Sequence, residues 1–359
     1  MMRKMTINIW QMMYFGLCWL SLSACVERFE FETEEEESFL VIEGLLTQGS
    51  GPHYMSVKNT TFFSQSPVNT PAVPVSSVSL QDDTGGKYFY TPIAPGEFVL
   101  DGQVEVEAFR TYSIEVVLND GTTYLSFPEV MPPVLAPIAA NAEVVVEEGI
   151  DEAGTVVEKL QVALTMDTNI RQEGRAFPLR WRLEESYFVI DEICGPFDSS
   201  EICYITQDLN SQDIILFDAR PLRAETINDV PLAKVEPLPR YAYANRHYFH
   251  IYQYTLTQSA YEYWQDIQKI ANQSGSIFNA PPAPVRGNIY NVDDPDELVL
   301  GYFEVSGVST AVTFTENIDF APFRFNSYCE SGSVPSVEEA CCFCTLLPNS
   351  SQTRPDFYL

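Results

Sequence analysis

Seven consecutive residues constrain the fold of this chain more than any others. Tyr112, Ile114, Val116 and Leu118 alternate with Ser113, Glu115 and Val117, the two-residue period of a strand with one face on a core and the other toward solvent. Asn119-Asp120-Gly121 then turns the chain into a further run over residues 122–127, and Asn-x-Gly and Asp-Gly pairs supply the positive φ that tight hairpin turns require. The same grammar recurs along the chain. Residues 39–46 form a compact apolar run, and residues 75–80 and 87–90 flank Asp82-Asp83-Thr84-Gly85-Gly86, a strong hairpin signal. Tyr112 opens its strand and suits a tyrosine corner.

Alternation continues in the second half at Leu160, Val162, Leu164 and Met166, again at Leu179, Trp181 and Leu183, and over the Tyr-rich residues 247–256. Residues 298–305 and 310–315 are predicted as two closing strands. One segment breaks the pattern. Ala260, Tyr263, Trp264, Ile267, Ile270 and Ala271 recur at the three- and four-residue spacing of an amphipathic helix. Thr257 or Ser259 can cap its start and Gly275 can end it. The predicted fold class is mainly β: an N-terminal, Ig-like β-sandwich over residues 38–130, then a second β-rich domain over 138–359 carrying one amphipathic helix. Met131-Pro132-Pro133-Val134-Leu135-Ala136-Pro137 is expected to link them, because its prolines exclude helix and stiffen the chain.

The first 37 residues carry an address. Arg3 and Lys4 precede a short apolar stretch over residues 12–22, which ends in Leu22-Ser23-Ala24-Cys25. This is the layout of a secretory signal, with the Leu, two small residues and Cys of a bacterial lipoprotein signal. Residues 1–24 are expected to be removed and Cys25 acylated with palmitate-class chains, since two or more such chains hold a protein on a membrane where one does so only marginally. Residues 25–37 end in four glutamates, Glu34–Glu37, and read as an acidic, solvated tether.

Charge excludes whole classes of partner. Twenty Lys and Arg stand against 50 Asp and Glu, a formal charge of −30, so the chain repels nucleic acid and anionic lipid surfaces. Six cysteines lie beyond Cys25: Cys194, Cys203, Cys329, Cys341, Cys342 and Cys344. An even number in an exported chain points to disulfides. Cys194 and Cys203 flank the turn-prone Gly195-Pro196 and can close a local loop. Cys341 and Cys342 are adjacent and poorly placed to join each other, which leaves Cys329 for one of the C-terminal trio. The alternative is a zinc site built from Cys329 and the trio, although the paired ligand spacing of structural zinc sites is missing.

Catalytic signatures are missing as well. There is no nucleophile elbow, phosphate loop or zinc-protease motif in the sequence, so no catalytic residue, no cofactor and no enzymatic activity are expected. His247 and His250 are spaced so that a strand sends them to opposite faces. Asp293, Asp294 and Asp296, in an acidic turn around Pro295, are the one calcium candidate, since carboxylates suit a hard cation. Their spacing is not that of an EF-hand. Tyr241, Tyr243, Tyr248, Tyr252, Tyr254, Tyr261, Tyr263 and Trp264 can line a sugar or peptide surface, and they serve equally as core.

Several segments in order carry a family resemblance. They are the Leu22–Cys25 motif, Val41-Ile42-Glu43-Gly44-Leu45-Leu46-Thr47, Asn119-Asp120-Gly121-Thr122-Thr123-Tyr124 and Ala260-Tyr261-Glu262-Tyr263-Trp264, then Pro281-Pro282 with Arg286-Gly287-Asn288-Ile289, Leu300-Gly301-Tyr302-Phe303 and Arg354-Pro355-Asp356-Phe357-Tyr358. In this order they resemble the Bacteroidetes outer-membrane lipoprotein family of domain of unknown function 4249, over essentially the whole mature chain. The resemblance implies a lipid-anchored outer-membrane protein, facing the exterior, that acts as accessory or ligand-capture partner of a TonB-dependent β-barrel transporter. It carries over no catalytic residue. Arg28 interrupts the acidic run after Cys25 that exterior-facing lipoproteins carry. The alternative is a surface adhesion or structural module that binds protein or glycan without transport.

Overall fold

Hairpin turns and two-residue alternation build nearly all of the structure, a computed structural model that describes residues 38–60, 72–150, 154–194, 199–209, 213–273, 283–316, 318, 328–329 and 338–358. Cys25, the signal, the tether, Gly275 and Pro281-Pro282 lie outside them. Strand β1 (Leu40–Thr47) buries Leu40, Ile42 and Leu46 and pairs antiparallel with β2 (His53–Asn59), which buries Met55 and Val57. β3 (Val75–Asp82) and β4 (Lys87–Phe89) form the hairpin expected around Asp82. The Asp82 carboxylate accepts the amide N–H groups of Thr84 and Gly86 at 2.9 and 2.8 Å, an Asx turn that leaves the positive φ to Gly85. β5 (Thr91–Ala94) and β6 (Glu97–Leu100) follow.

The alternating heptad becomes β7 (Thr111–Leu118), with Tyr112, Ile114 and Val116 buried, and β8 (Thr123–Ser126) returns beside it. The Tyr112 hydroxyl accepts the Glu107 amide N–H at 2.9 Å, the backbone bond that defines a tyrosine corner. β9 (Glu129–Val130) ends this half. β10 (Pro137–Ile150) and β11 (Val156–Asn169) then make a long antiparallel hairpin. β12 (Arg171–Gln172) and β13 (Arg175–Ala176) form a minimal one. β14 (Leu179–Ile190), β15 (Ile202–Leu209), β16 (Ile215–Phe217), β17 (Thr226–Val235) and β18 (His247–Thr255) lead to helix α1 (Gln258–Gln273). β19 (Ile289–Asn291), β20 (Phe303–Thr315), the short α2 (Glu338–Cys342) and β21 (Ser350–Ser351) complete the chain.

One ten-stranded sheet, in the order β21-β15-β14-β18-β20-β1-β2-β6-β5 with β16 on β14, crosses both halves. Its seam is the parallel pairing of β1 with β20. A six-stranded sheet (β19-β8-β7-β3-β4, with β9 on β7) and a three-stranded sheet (β10-β11-β17) pack against it. The first core joins Ile42, Met55 and Leu100 to Leu80, Ile114 and Val116. The second joins Trp181, Leu183, Phe249 and Ile251 to Val162, Leu164 and Met166. On β20, Phe303 and Val305 enter the first core and Ala311 touches the second, while Glu304 and Val308 turn the other way, as strand alternation requires. Both cores therefore lie on one face of the large sheet.

Three expectations change. Residues 131–137, predicted as a linker, run buried: Met131 and Leu135 are in the two cores, and the Leu135 carbonyl accepts hydrogen bonds from Gln253 at 2.8 Å and Ser309 at 2.7 Å. The residues 38–130 expected as a sandwich are completed from the far end of the chain by β19 and β20. The two closing strands merge into a single strand that starts later than expected. Only residues 303–315 form β20, because Gly301 turns at φ +87° with its Cα against the Ile42 carbonyl, where a Cβ would sit 2.2 Å from that oxygen.

Candidate functional site

The face of the large sheet away from both cores is where its polar side chains collect. On β14 and β18 the cross-strand pairs Arg180–Tyr254, Arg182–Tyr252, Glu184–His250 and Ser186–Tyr248 stand in a row. Helix α1 lies over one end of this row. Thr257 caps it, its hydroxyl accepting the Ala260 amide N–H at 3.1 Å. Ala260 and Tyr261 are buried with Tyr254, Leu256 and Tyr302, and Tyr263 and Trp264 pack on that cluster.

A buried carboxylate on each side fixes the helix. Glu129 accepts hydrogen bonds from Ser259 and from the Tyr302 hydroxyl, both at 2.6 Å. Glu304 accepts from the Trp264 indole at 2.5 Å, from Ser306 at 2.6 Å and from Arg180 at 3.0 Å. The Arg180 guanidinium lies 4.1 Å from the Tyr254 ring centroid and 4.3 Å from that of Trp264, a cation held between two aromatic faces. Its Nε has no hydrogen-bond partner among the described residues. Burial, then the negative charges of Glu43 and Glu304, push the Tyr263 hydroxyl up to about 12, so it stays a neutral donor at physiological pH.

Beside these residues opens a cleft of about 340 Å³, floored by β1 and β2 and walled by Tyr54, Tyr263, Trp264, Tyr302, Glu43 and Glu304. That is the lower end of the size range of small-molecule sites. Below it, a Cβ on Gly44 would meet the Met55 sulfur at 1.9 Å, so any larger residue there would displace the Met55 side chain. Ring faces offer stacking, carboxylates accept hydrogen bonds, and Tyr263 donates. A ligand with an apolar face and hydroxyl or ammonium donors matches this lining. Of the aromatic residues singled out in the sequence, Tyr254, Tyr261, Tyr263 and Trp264 gather here. Tyr241 and Tyr243 belong to the second core, and Tyr248 and Tyr252 lie further along the open face.

Other candidates are dispersed. His247 is buried, with Nε2 3.0 Å from Glu185, whereas His250 packs on Phe357 from the opposite face. Asp293, Asp294 and Asp296 are exposed around a turn braced by Arg286 on the Pro295 and Asp296 carbonyls. Among the described residues no three metal-ligating side chains converge. The cysteines pair as Cys194–Cys342, Cys203–Cys344 and Cys329–Cys341. This corrects the local Cys194–Cys203 loop. The C-terminal segment lies along β15, where β21 pairs with it, and presents a thiol to each. Cys329 does take one of the trio. Glu304 and Arg180 escape a reading of motifs, although a Glu inside an apolar strand and an Arg flanked by Leu179 and Trp181 are visible signals.

Sheets stacked on one face, with an aromatic cleft on the other, define a mainly β protein. The chain belongs to the family described as domain of unknown function (DUF4249), whose model matches residues 26–311. No curated protein matches the chain. A segment of two fibronectin type III domains from chicken tenascin is similar over 61% of this chain and 91% of that one, at 12% identity and a TM-score of 0.16, a value from which no shared fold follows.

Proposed function

We propose that the protein is an exterior-facing outer-membrane lipoprotein, anchored through Cys25, that captures a small ligand in the Trp264–Glu304 cleft as the accessory of a TonB-dependent β-barrel transporter. The observation that carries the capture role is the cleft itself. An aromatic wall, a buried charged pair and a half-open mouth meet on a sheet face that the two cores do not use. The Leu22–Cys25 motif supports the anchor, and three disulfides suit an oxidising compartment. No catalytic role is assigned to the cleft.

Pull-down of the lipidated chain from gently solubilised outer membrane tests the partnership, with co-purification of a β-barrel expected. A deletion strain complemented by Trp264→Ala tests the cleft. Uptake of the transported nutrient is expected to fall with the chain still at the surface. Normal uptake with lost attachment would instead identify an adhesion module.

A further inference from the structure

The face of the β10–β11 hairpin outruns the core beneath it. Val162, Leu164 and Met166 of β11 are buried in the second core, opposite Val144, Ala142 and Ala140 of β10. Beyond them the same face continues into water, and Val144, Val146, Ile150 and Val156 are 45, 60, 67 and 64% exposed. Four β-branched residues on one open strip have the character of an interface, not of an ordinary surface.

Two further observations say what completes it. β10 ends the order of its sheet, so along its outer edge a row of amide and carbonyl groups has no strand partner among the described residues. The charges on that strand are all of one sign. Glu143, Glu147 and Glu148 lie on β10, and Glu148 stands directly opposite the exposed Glu158 within the apolar strip. Like charges opposite each other weaken a hairpin. Lys234 offsets Glu147 from β17, and among the described residues no cation pairs with Glu148 or Glu158.

We propose that the outer edge of β10 takes up an extended segment of a partner protein as a fourth strand, a segment in which valine-like residues alternate with lysine or arginine. Its apolar side chains cover Val144, Val146 and Ile150. Its cations lie beside Glu143 on one face and over Glu148 on the other. Main-chain bonds supply affinity and the alternate side chains supply selection, as in other cases of strand addition. A second copy of this chain does not fit: it would bring three more glutamates to the same edge of a protein already at −30. Residues 151–153 are no part of the site, and the inference is independent of the cleft and its ligand.

Glutamates on an edge strand can also act alone as guards against pairing. A guard repels every added strand, whereas a docking edge discriminates by charge. The full chain in mild detergent is titrated, by fluorescence anisotropy at low salt, with the blocked octapeptide Val-Thr-Lys-Lys-Val-Thr-Val-Lys and with the same peptide carrying Glu for Lys. The basic peptide is expected to bind, to weaken as salt is added and to slow hydrogen exchange along β10. Glu148→Lys with Glu158→Lys, both at exposed positions, is expected to reverse the preference by about tenfold, a gain of binding that an unfolded variant cannot show. Val146→Thr is expected to weaken the basic peptide about threefold while leaving the thermal midpoint in place. Equal affinity for the two peptides overturns the proposal. So does absence of binding up to millimolar peptide, or a β10 already protected from exchange in a chain that runs as a dimer.

Discussion

The two faces of the β14–β18 pair use the same two strands for opposite ends. On the core face stand Trp181, Leu183, Phe249 and Ile251, and most polar groups there are partnered: Gln253 accepts from the Trp181 indole at 3.1 Å and donates to the Leu135 carbonyl, and Glu185 bonds His247 and Gln207, whereas the buried Thr255 hydroxyl has no hydrogen-bond partner among the described residues. On the open face stand Arg180, Arg182, Glu184, His250, Tyr252 and Tyr254, held by cation–π and ion contacts that water reaches at their rims. Most buried polar groups are satisfied, because each one left unpaired costs stability. A half-buried one can keep capacity for a ligand. The difference teaches that alternation alone divides a core face from an open one.

The largest effect is expected at the outer edge of the core face. Replacing Cys194, Cys203, Cys342 and Cys344 together by Ala removes both bridges across this span, opens a loop of at least 141 residues and should remove about 4 kcal/mol or more of stability in urea titrations. Glu185→Ala comes next, at about 3 kcal/mol, because it strands His247 and Gln207 in the interior.

The same residue sets a pH dependence. Burial pushes the Glu185 carboxyl up, but the His247 hydrogen bond and charge, with Gln207 and Tyr243, more than offset this and hold it below its ordinary 4.5. A depressed carboxylate stabilises the fold above its unfolded value and loses that contribution as pH falls through the folded one. Stability of the native chain should therefore drop as pH is lowered below about 4.5, and less steeply in Glu185→Gln.

On the open face, Glu304→Gln should cost about 1.5 kcal/mol, the low end for a hydrogen bond to a charged group because the amide keeps an acceptor oxygen, and should also move Arg180 and the Trp264 fluorescence. Tyr252→Phe, which removes a 2.9 Å bond to Glu184 at a partly wet site, should cost about 0.5–1 kcal/mol. If the open-face variants proved as damaging as Glu185→Ala, the contrast between the faces would fail.

Much of this was legible from the chain. The strand from Tyr112, the Asp82 hairpin and the helix from Gln258 follow from periodicity and turn chemistry, which act over a few residues. Strand β10 was missed altogether, because Pro132, Pro133 and Pro137 mark an irregular segment before it and Glu143, Glu147 and Glu148 interrupt its apolar alternation. The pairing of β1 with β20, the Cys194–Cys342 bridge and the meeting of Arg180 with Glu304 depend on contacts between distant segments, and no local pattern encodes a partner. Half of the cleft was visible as the Tyr263–Trp264 pair. The charged half was hidden within strands that look apolar.

The seam between β1 and β20 has a consequence for how this protein comes into being. The first strand of the sheet keeps one edge unpaired until nearly the last strand has arrived, and Cys203 waits for Cys344 over much the same span. A chain emerging N-terminus first cannot finish either half and set it aside. Folding is thus an all-or-nothing event that follows synthesis of nearly the whole chain, and any chain cut short before residue 303 is left with an open seam for quality control to detect.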